Sequence, residues 1–353
     1  MDQPLAVPRA ENSPIKFSVC IPTLNRADCI EDCLSSVFSQ EYSDIEVLVL
    51  DGGSKDKTPE ILEGYARSGK LTWLRSKGGG IDADILAAAE MASGDYIWFL
   101  SDDDALMPGA LAEVARRLAQ NGYPAGCSVN YTSYDRTLTY TVARVPATAR
   151  ACRREDHLYT AAEDCFSELG IHLGYLSAQI VRRSLWMEGV TSPQVRDCMG
   201  TCWMIAAGIA GVLKLDARWL YIHDSMIRNR TQNDSFQARM GVLRRHRVTH
   251  VDYLSVVQRF FDRRSEVPRA VRRQLICDRM PRTVAALKAR GAEWSLKWDL
   301  LRLYISIYGL FPEFWFRVFP LFLVPDFAFR MIRTGYLRFA QARSGRRLEQ
   351  KPV

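Results

Sequence analysis

The chain has 353 residues and a mass of 40.1 kDa, room for about two domains of ordinary size. Hydrophobic residues make up 48% and charged residues 25%, which excludes a disordered tail, a collagen-like repeat or a small disulfide scaffold. The net charge of +7 hides a split: residues 1–239 carry 24 Lys and Arg against 31 Asp and Glu, and residues 240–353 carry 23 against 9. An acidic body with a basic C-terminal third suggests a catalytic part joined to something that meets anionic matter, either nucleic acid or an anionic membrane surface.

Residues 1–14 show no basic-then-apolar signal pattern and read as a short disordered leader. Phe17–Pro22 is an apolar run closed by proline, a buried strand, and Ala27–Gln40 follows with apolar residues at helical spacing. Ile45–Leu50 is a second buried strand. Asp51 and two glycines then turn the chain into a helix opened by Thr58 and Pro59. A strand over Leu71–Arg75, a helix over Asp82–Ala92, a strand over Tyr96–Leu100 and a helix over Pro108–Gln120 complete the series. Repeated strand–helix units with continuously apolar strands predict a parallel sheet covered on both faces. Beyond Tyr123 the pattern changes. Strands are expected at Cys127–Tyr134 and Thr137–Arg144 around a turn at Asp135–Arg136, helix at Asp156–Leu169, and a short strand or helix start at Leu176–Val181. An apolar helix at Cys198–Leu213 and a strand at Arg218–His223 follow, and from Gln237 onward the pattern is Arg-rich amphipathic helix. The expected domains are therefore 15–238 and 239–353.

Sheets of this kind bind ligands at the carboxyl ends of their strands, and polar groups gather there. Strand one is followed by Thr23, Asn25 and Arg26, strand two by Asp51, Gly52, Gly53 and Ser54, and strand three by Lys77, Gly78–Gly80, Asp82 and Asp84. Strand four runs into Ser101, Asp102, Asp103 and Asp104. Neither GxGxxG after the first strand nor GxxxxGK[ST] is present, which removes most support for a dinucleotide enzyme or a P-loop NTPase. Three successive carboxylates repel unless a cation neutralises them. A hard divalent cation shared with substrate phosphates does so, whereas capping the next helix would need one Asp at most. Asp51 beside two glycines offers an acceptor that a ligand can approach closely, or a plain turn residue. Lys77 with its glycines offers a charge and free N–H groups, or a flexible loop. Arg230 in the polar run 228–235 is a candidate diphosphate clamp, against a solvated linker. His172 and His223 read as packed histidines with one hydrogen bond each. The nine cysteines are odd in number and scattered, as packed reduced thiols would be, and the i,i+4 pairs Cys29/Cys33 and Cys198/Cys202 read as packing rather than metal ligation.

The pieces FSVCIPTLNR, IEVLVLDGGSKDKT, GGGIDAD and ASGDYIWFLSDDDALMPGAL, in this order and spacing, resemble family 2 glycosyltransferases of the GT-A fold. The likeness runs from Phe17 to about Leu118, and more weakly to about Asn233. It implies a Rossmann-like, mixed but mainly parallel sheet flanked by helices, a nucleotide-sugar donor, Mg²⁺ or Mn²⁺, and inversion at the anomeric carbon. The GGGIDAD and SDDD variants look most like a branch that includes abequosyltransferase-like O-antigen enzymes. The resemblance implies that Pro22, Thr23 and Asn25 line the nucleotide pocket with Gly53, Lys77, Asp82, Asp84, Asp102 and Arg230. It implies too that Asp51 contacts base or ribose, and that Asp103 and Asp104 hold the metal; the alternative is a shifted DxD supplied by Asp102 and Asp104. Ser101 departs from the family's first Asp, and Asp84 stands where many members have Asn. Asp197 matches the catalytic acidic position, where a base would take the acceptor's proton; it also suits a helix N-cap.

No stretch of about 20 uncharged apolar residues exists. Residues 310–329 come nearest but contain Glu313, Arg317, Asp326 and three prolines. Their phenylalanines, flanked by Lys297, Arg302, Arg330, Arg333 and further arginines, fit an interfacial segment; the alternative is a helical hairpin buried on the main domain. The tail shows no nucleic-acid module. The expected function is transfer of a sugar to a glycan or lipid-linked, polyprenyl-diphosphate acceptor, peripheral or monotopic at the cytoplasmic face of the inner membrane. The alternatives are a sugar nucleotidyltransferase and a non-catalytic binder in glycan assembly.

Overall fold

The computed structural model describes residues 14–76, 78–143 and 154–334. The expected leader up to residue 13, Lys77 and the basic residues from 338 onward lie outside the described residues. The chain divides into two compact units, one drawn from residues 1–235 and 252–271, the other from 236–251 and 272–353.

The first unit is built on ten strands: β1 (Phe17–Thr23), β2 (Ile45–Asp51), β3 (Thr72–Arg75), β4 (Tyr96–Phe99), β5 (Ala105–Leu106), β6 (Gly126–Tyr134), β7 (Thr141–Ala143), β8 (His157–Tyr159), β9 (Gln179–Arg182) and β10 (Trp219–Arg230). Their order is β3-β2-β1-β4-β9-β6-β10-β5, with β7 beside β6 and β8 beside β10. Strands β3, β2, β1 and β4 are mutually parallel, β9 is antiparallel to β4 and β6, and β6 runs parallel to β10. Every residue of β1 is buried, as its unbroken apolar sequence requires of a strand covered on both faces. Helices α1 (Ile30–Phe38), α2 (Thr58–Arg67), α3 (Ile81–Met91) and α4 (Ala110–Gln120) return the chain between strands. Leu34, Val37, Leu111, Val114 and Leu118 pack with the sheet residues Phe17, Val19, Val49 and Trp98 in one core.

Several stretches differ from the sequence expectation. Asp156–Leu169 is not one helix: His157–Tyr159 pairs antiparallel with Trp219–Tyr221 as β8, and helix α5 covers Ala162–Leu169. The apolar run from Cys198 is helical only from Met204 to Leu215, because Gly200 (φ +82°) and Cys202 (φ +66°) take left-handed backbone that a helix cannot contain. The Arg218–His223 strand extends to Arg230, so the polar residues 228–230 sit in the sheet.

The second unit is helical, with helices at Met280–Ala289, Trp294–Tyr308, Pro312–Arg317 and Phe319–Leu323. Leu300, Tyr304, Tyr308, Phe314 and Val318 are buried in it, and the two lysines Lys288 and Lys297 converge on Asp326 at 2.9 and 2.6 Å. No helix among the described residues is long and apolar enough to cross a membrane.

Candidate active site

Strand β1 has β2 on one side and β4 on the other. The crevice beyond their carboxyl ends is the topological switch point where such sheets bind ligands. Asn25 takes left-handed backbone (φ 55°) and ties two of these loops together: its N–H donates to Ser54 Oγ at 2.8 Å, and its Oδ1 accepts the N–H of Lys55 at 2.7 Å. Pro22 and Thr23 end β1, and the N–H of Gly52 donates to Thr23 O at 2.8 Å. Gly53 needs its φ of +95°, and open space surrounds its Cβ position.

At the end of β4 the three aspartates have different partners. Asp104 is buried and satisfied by the protein alone. Its Oδ2 accepts from Tyr175 Oη at 2.5 Å and Ser177 Oγ at 2.6 Å, and its Oδ1 from the N–H of Arg230 at 3.0 Å and Asn229 Nδ2 at 3.2 Å. Asp102 and Asp103 share the guanidinium of Arg26, whose Nε lies 3.3 Å from Asp102 Oδ1 and whose Nη2 lies 3.5 Å from Asp103 Oδ2. Asn233 Nδ2 reaches Asp103 Oδ2 at 3.2 Å, and Ser101 Oγ donates to Asp103 Oδ1 at 2.7 Å. An Asp at position 101 would place a fourth carboxylate where a hydroxyl now donates. Burial first, then the neighbouring Asp103 charge, pushes the Asp102 and Asp104 carboxyls up to about 7.

These residues fit a divalent cation of the Mg²⁺ class. The donors are hard oxygens, and the contacts of Arg26 to Asp102 and Asp103 are longer than the roughly 2.7–2.9 Å of a tight charge-assisted pair. Such a cation needs one or two protein carboxylates when phosphates supply the rest. No group of three metal-ready side chains occurs among the described residues; with one or two carboxylates as ligands, donor phosphates would have to supply the rest.

Two expected donor contacts are engaged elsewhere. Asp82, buried at the start of α3, accepts the N–H groups of Cys202 at 2.8 Å and Met204 at 3.0 Å and is approached by those of Gly200 and Thr201. It pins the left-handed loop behind Asp197. Arg230 is a staple rather than a free clamp: its Nε donates to Asp103 O at 2.8 Å, its Nη1 to Arg136 O at 2.5 Å, and its Nη2 to Asp32 Oδ2 at 2.7 Å. Asp197 is exposed at the end of the short helix Pro193–Arg196, with Arg259 Nη1 3.2 Å from its Oδ2, and it caps no helix start. His172 is a packed histidine, its Nε2 3.1 Å from Val129 O. Tyr175 and Ser177 escaped the sequence reading, which placed Arg26 at a strand end and Asn229 and Asn233 in a polar run without finding their partners. The one signal for Arg26 was a basic residue directly after a polar strand-end run.

A mixed sheet of this topology, with polar loops at its switch point and acidic residues closing its fourth strand, has the GT-A architecture. The profile of glycosyl transferase family 2 matches residues 18–188. Abequosyltransferase RfbV of Salmonella typhimurium is 27% identical over 279 residues, 74% of this chain and 80% of the relative. A Campylobacter jejuni GalNAc(5)-diNAcBac-PP-undecaprenol beta-1,3-glucosyltransferase is 31% identical over 111 residues, 31% of this chain and 36% of that protein. Two solved structures share the fold. One is S. aureus TarS 1-349 in complex with UDP-GlcNAc, with TM-score 0.54, 14% identity, and coverage of 96% of this chain and 95% of that one. The other is the mannosyltransferase PcManGT of Pyrobaculum calidifontis with GDP-Man and Mn²⁺, with TM-score 0.55, 16% identity, and coverage of 93% and 90%.

Proposed function

We propose that this glycosyltransferase moves a sugar, with inversion, from a nucleoside diphosphate donor to a lipid-linked glycan acceptor, with a divalent cation at the β4 end. The carrying observation is the division of labour in the aspartate run: Asp104 is consumed by four protein donors, while Asp102 and Asp103 share the Arg26 guanidinium at 3.3 and 3.5 Å, with Ser101 and Asn233 donating to Asp103 and Thr23 and the Leu24 N–H approaching Asp102. Asp103, with Asp102 beside it, would hold the cation; Asp104 instead shapes the turn that presents them. When bound, the cation offsets the negative charge that develops on the leaving diphosphate. Pro22, Thr23, Asn25, Asp51, Gly53 and Asp84 line the nucleotide side. Asp197 takes the proton of the acceptor hydroxyl as its oxygen attacks the anomeric carbon and the carbon–diphosphate bond breaks, and Arg259 holds that carboxylate in direction.

The second unit supports a membrane surface as the working place. Among the described residues, ten of the fifteen exposed large hydrophobic residues fall between 294 and 332, among them Trp315, Phe316, Leu323 and Phe327. Basic residues outnumber acidic ones 23 to 9 in residues 240–353. Exposed aromatics in a sequence rich in cations suit the interface of an anionic bilayer, where a polyprenyl-diphosphate acceptor presents its head. We place the protein at the cytoplasmic face, where nucleotide sugars are made.

The test is transfer of radiolabelled sugar to lipid extract, run with flotation on phosphatidylglycerol vesicles. Wild type should transfer and float. The triple variant Phe316→Glu, Leu323→Glu, Phe327→Glu should stay in the soluble fraction yet still release nucleoside diphosphate. Equal flotation of both proteins removes the membrane assignment, and failure to transfer onto lipid removes the acceptor assignment.

A further inference from the structure

The nucleotide side of the crevice contains two buried carboxylate oxygens without a hydrogen-bond partner. Asp51, fully buried at the end of β2, uses Oδ1 to accept the N–H of Ser54 at 2.9 Å; its Oδ2 has no hydrogen bond, with Arg75 Nε 3.9 Å away. Asp84, 7% exposed in the first turn of α3, has an equally unpartnered Oδ1. Its Oδ2 lies 3.0 Å from the position of a Cβ on Gly52, the residue after Asp51. The two acids thus flank one glycine. Buried carboxylate oxygens are costly unless something donates to them, and two together add repulsion. Burial raises the Asp84 carboxyl above its ordinary value, the Ser76 hydroxyl opposes this, and the charge on Asp51 adds to it.

We propose that Asp51 and Asp84 together select the nucleobase of the donor, admitting a base with an exocyclic amino group (cytosine, guanine or adenine) and rejecting uracil and thymine. The proposal rests on reading this crevice as the nucleotide-sugar site. An amino group presents two N–H donors to two acceptors. Uracil and thymine present a single N–H between two carbonyl oxygens, so one carbonyl meets a carboxylate with no proton between them. A site whose buried polar groups are left unpaired by the wrong ligand discriminates strongly against it. A ribose diol donating to both acids would satisfy them without regard to the base, and the experiment separates that case.

The experiment is titration calorimetry of the full chain with CDP, GDP, ADP, UDP and dTDP, with Mn²⁺ present, at about pH 8, where ordinary carboxylates are ionised. At least one amino-bearing nucleotide should bind about tenfold or more tighter than both UDP and dTDP. UDP or dTDP binding tightest, or all five binding equally, overturns base selection while leaving the nucleotide site intact. Binding of none, by protein that still melts cooperatively, overturns the nucleotide-sugar reading and this proposal with it. In Asp84→Asn the amide supplies a donor for a carbonyl oxygen. UDP affinity should therefore rise toward that of the preferred nucleotide, and an unchanged ranking overturns the role of Asp84.

Discussion

Replacing Asp82 by Ala separates a donor contact from a loop anchor. The carboxylate accepts N–H groups at 2.8 and 3.0 Å from Cys202 and Met204, with those of Gly200 and Thr201 close by. Alanine leaves these buried amides without an acceptor. A hydrogen bond to a charged group contributes about 1.5–3 kcal/mol, and an orphaned buried donor costs about 1–3 kcal/mol. Even for the two shortest contacts, with partial hydration of the loop, the loss should be about 3–5 kcal/mol. The loop then relaxes from its left-handed turns at Gly200 and Cys202, and Asp197 loses its setting. Urea denaturation reads the stability and steady-state kinetics the function. Asp82→Ala should unfold at clearly lower urea, and under conditions where it is folded, kcat should fall far more than KM for the donor rises. Asp82→Asn should sit between, since its NH₂ faces an N–H. A normal urea midpoint with a greatly raised donor KM would refute the anchor and restore Asp82 to the donor pocket.

Further expectations follow from the same contacts. Asp104→Asn turns an amide NH₂ toward either Asn229 and Arg230 or Tyr175 and Ser177, and should cost about 3 kcal/mol in urea denaturation; an unchanged midpoint would show that the four donors do not hold the turn. Ser101→Asp exchanges the donor 2.7 Å from Asp103 for a charge, so its ligand-free melting temperature should drop below wild type, and an equal or higher one would contradict the packing described. The raised carboxyls of Asp82, Asp84, Asp102 and Asp104 mean that the folded chain binds more protons than the unfolded chain between about pH 4 and 7. Their contribution is therefore present at low pH and lost as pH rises through that window. A divalent cation with nucleoside diphosphate should raise the melting temperature more at pH 7.5 than at pH 5.5, and a larger rise at pH 5.5 would reverse the sign.

The sheet was legible because FSVCIP, IEVLVL and YIWFL are unbroken apolar runs, the mark of a strand buried on both faces. The aspartate run was legible as a site because it follows such a strand directly. His157–Tyr159 was not, since three residues carry no periodicity and only Trp219–Tyr221 makes them a strand. Arg26 stands 76 residues before Asp102, and only the parallel pairing of β1 with β4 brings their loops together. The same holds for Arg230 and Asp82, whose polarity was visible but whose partners are set by strand β10 and by a loop 120 residues away. Charge type can be read from sequence; which charge is already spoken for depends on the fold.

Manganese binding measured by electron paramagnetic resonance, with a saturating nucleoside diphosphate and the full chain, tests the central claim most directly. Wild type should hold one Mn²⁺ per chain only when the nucleotide is present, and Asp103→Asn should hold none while still melting cooperatively. Equal Mn²⁺ retention by wild type and Asp103→Asn, or none by wild type with nucleotide bound, would contradict a phosphate-completed metal site at the end of β4.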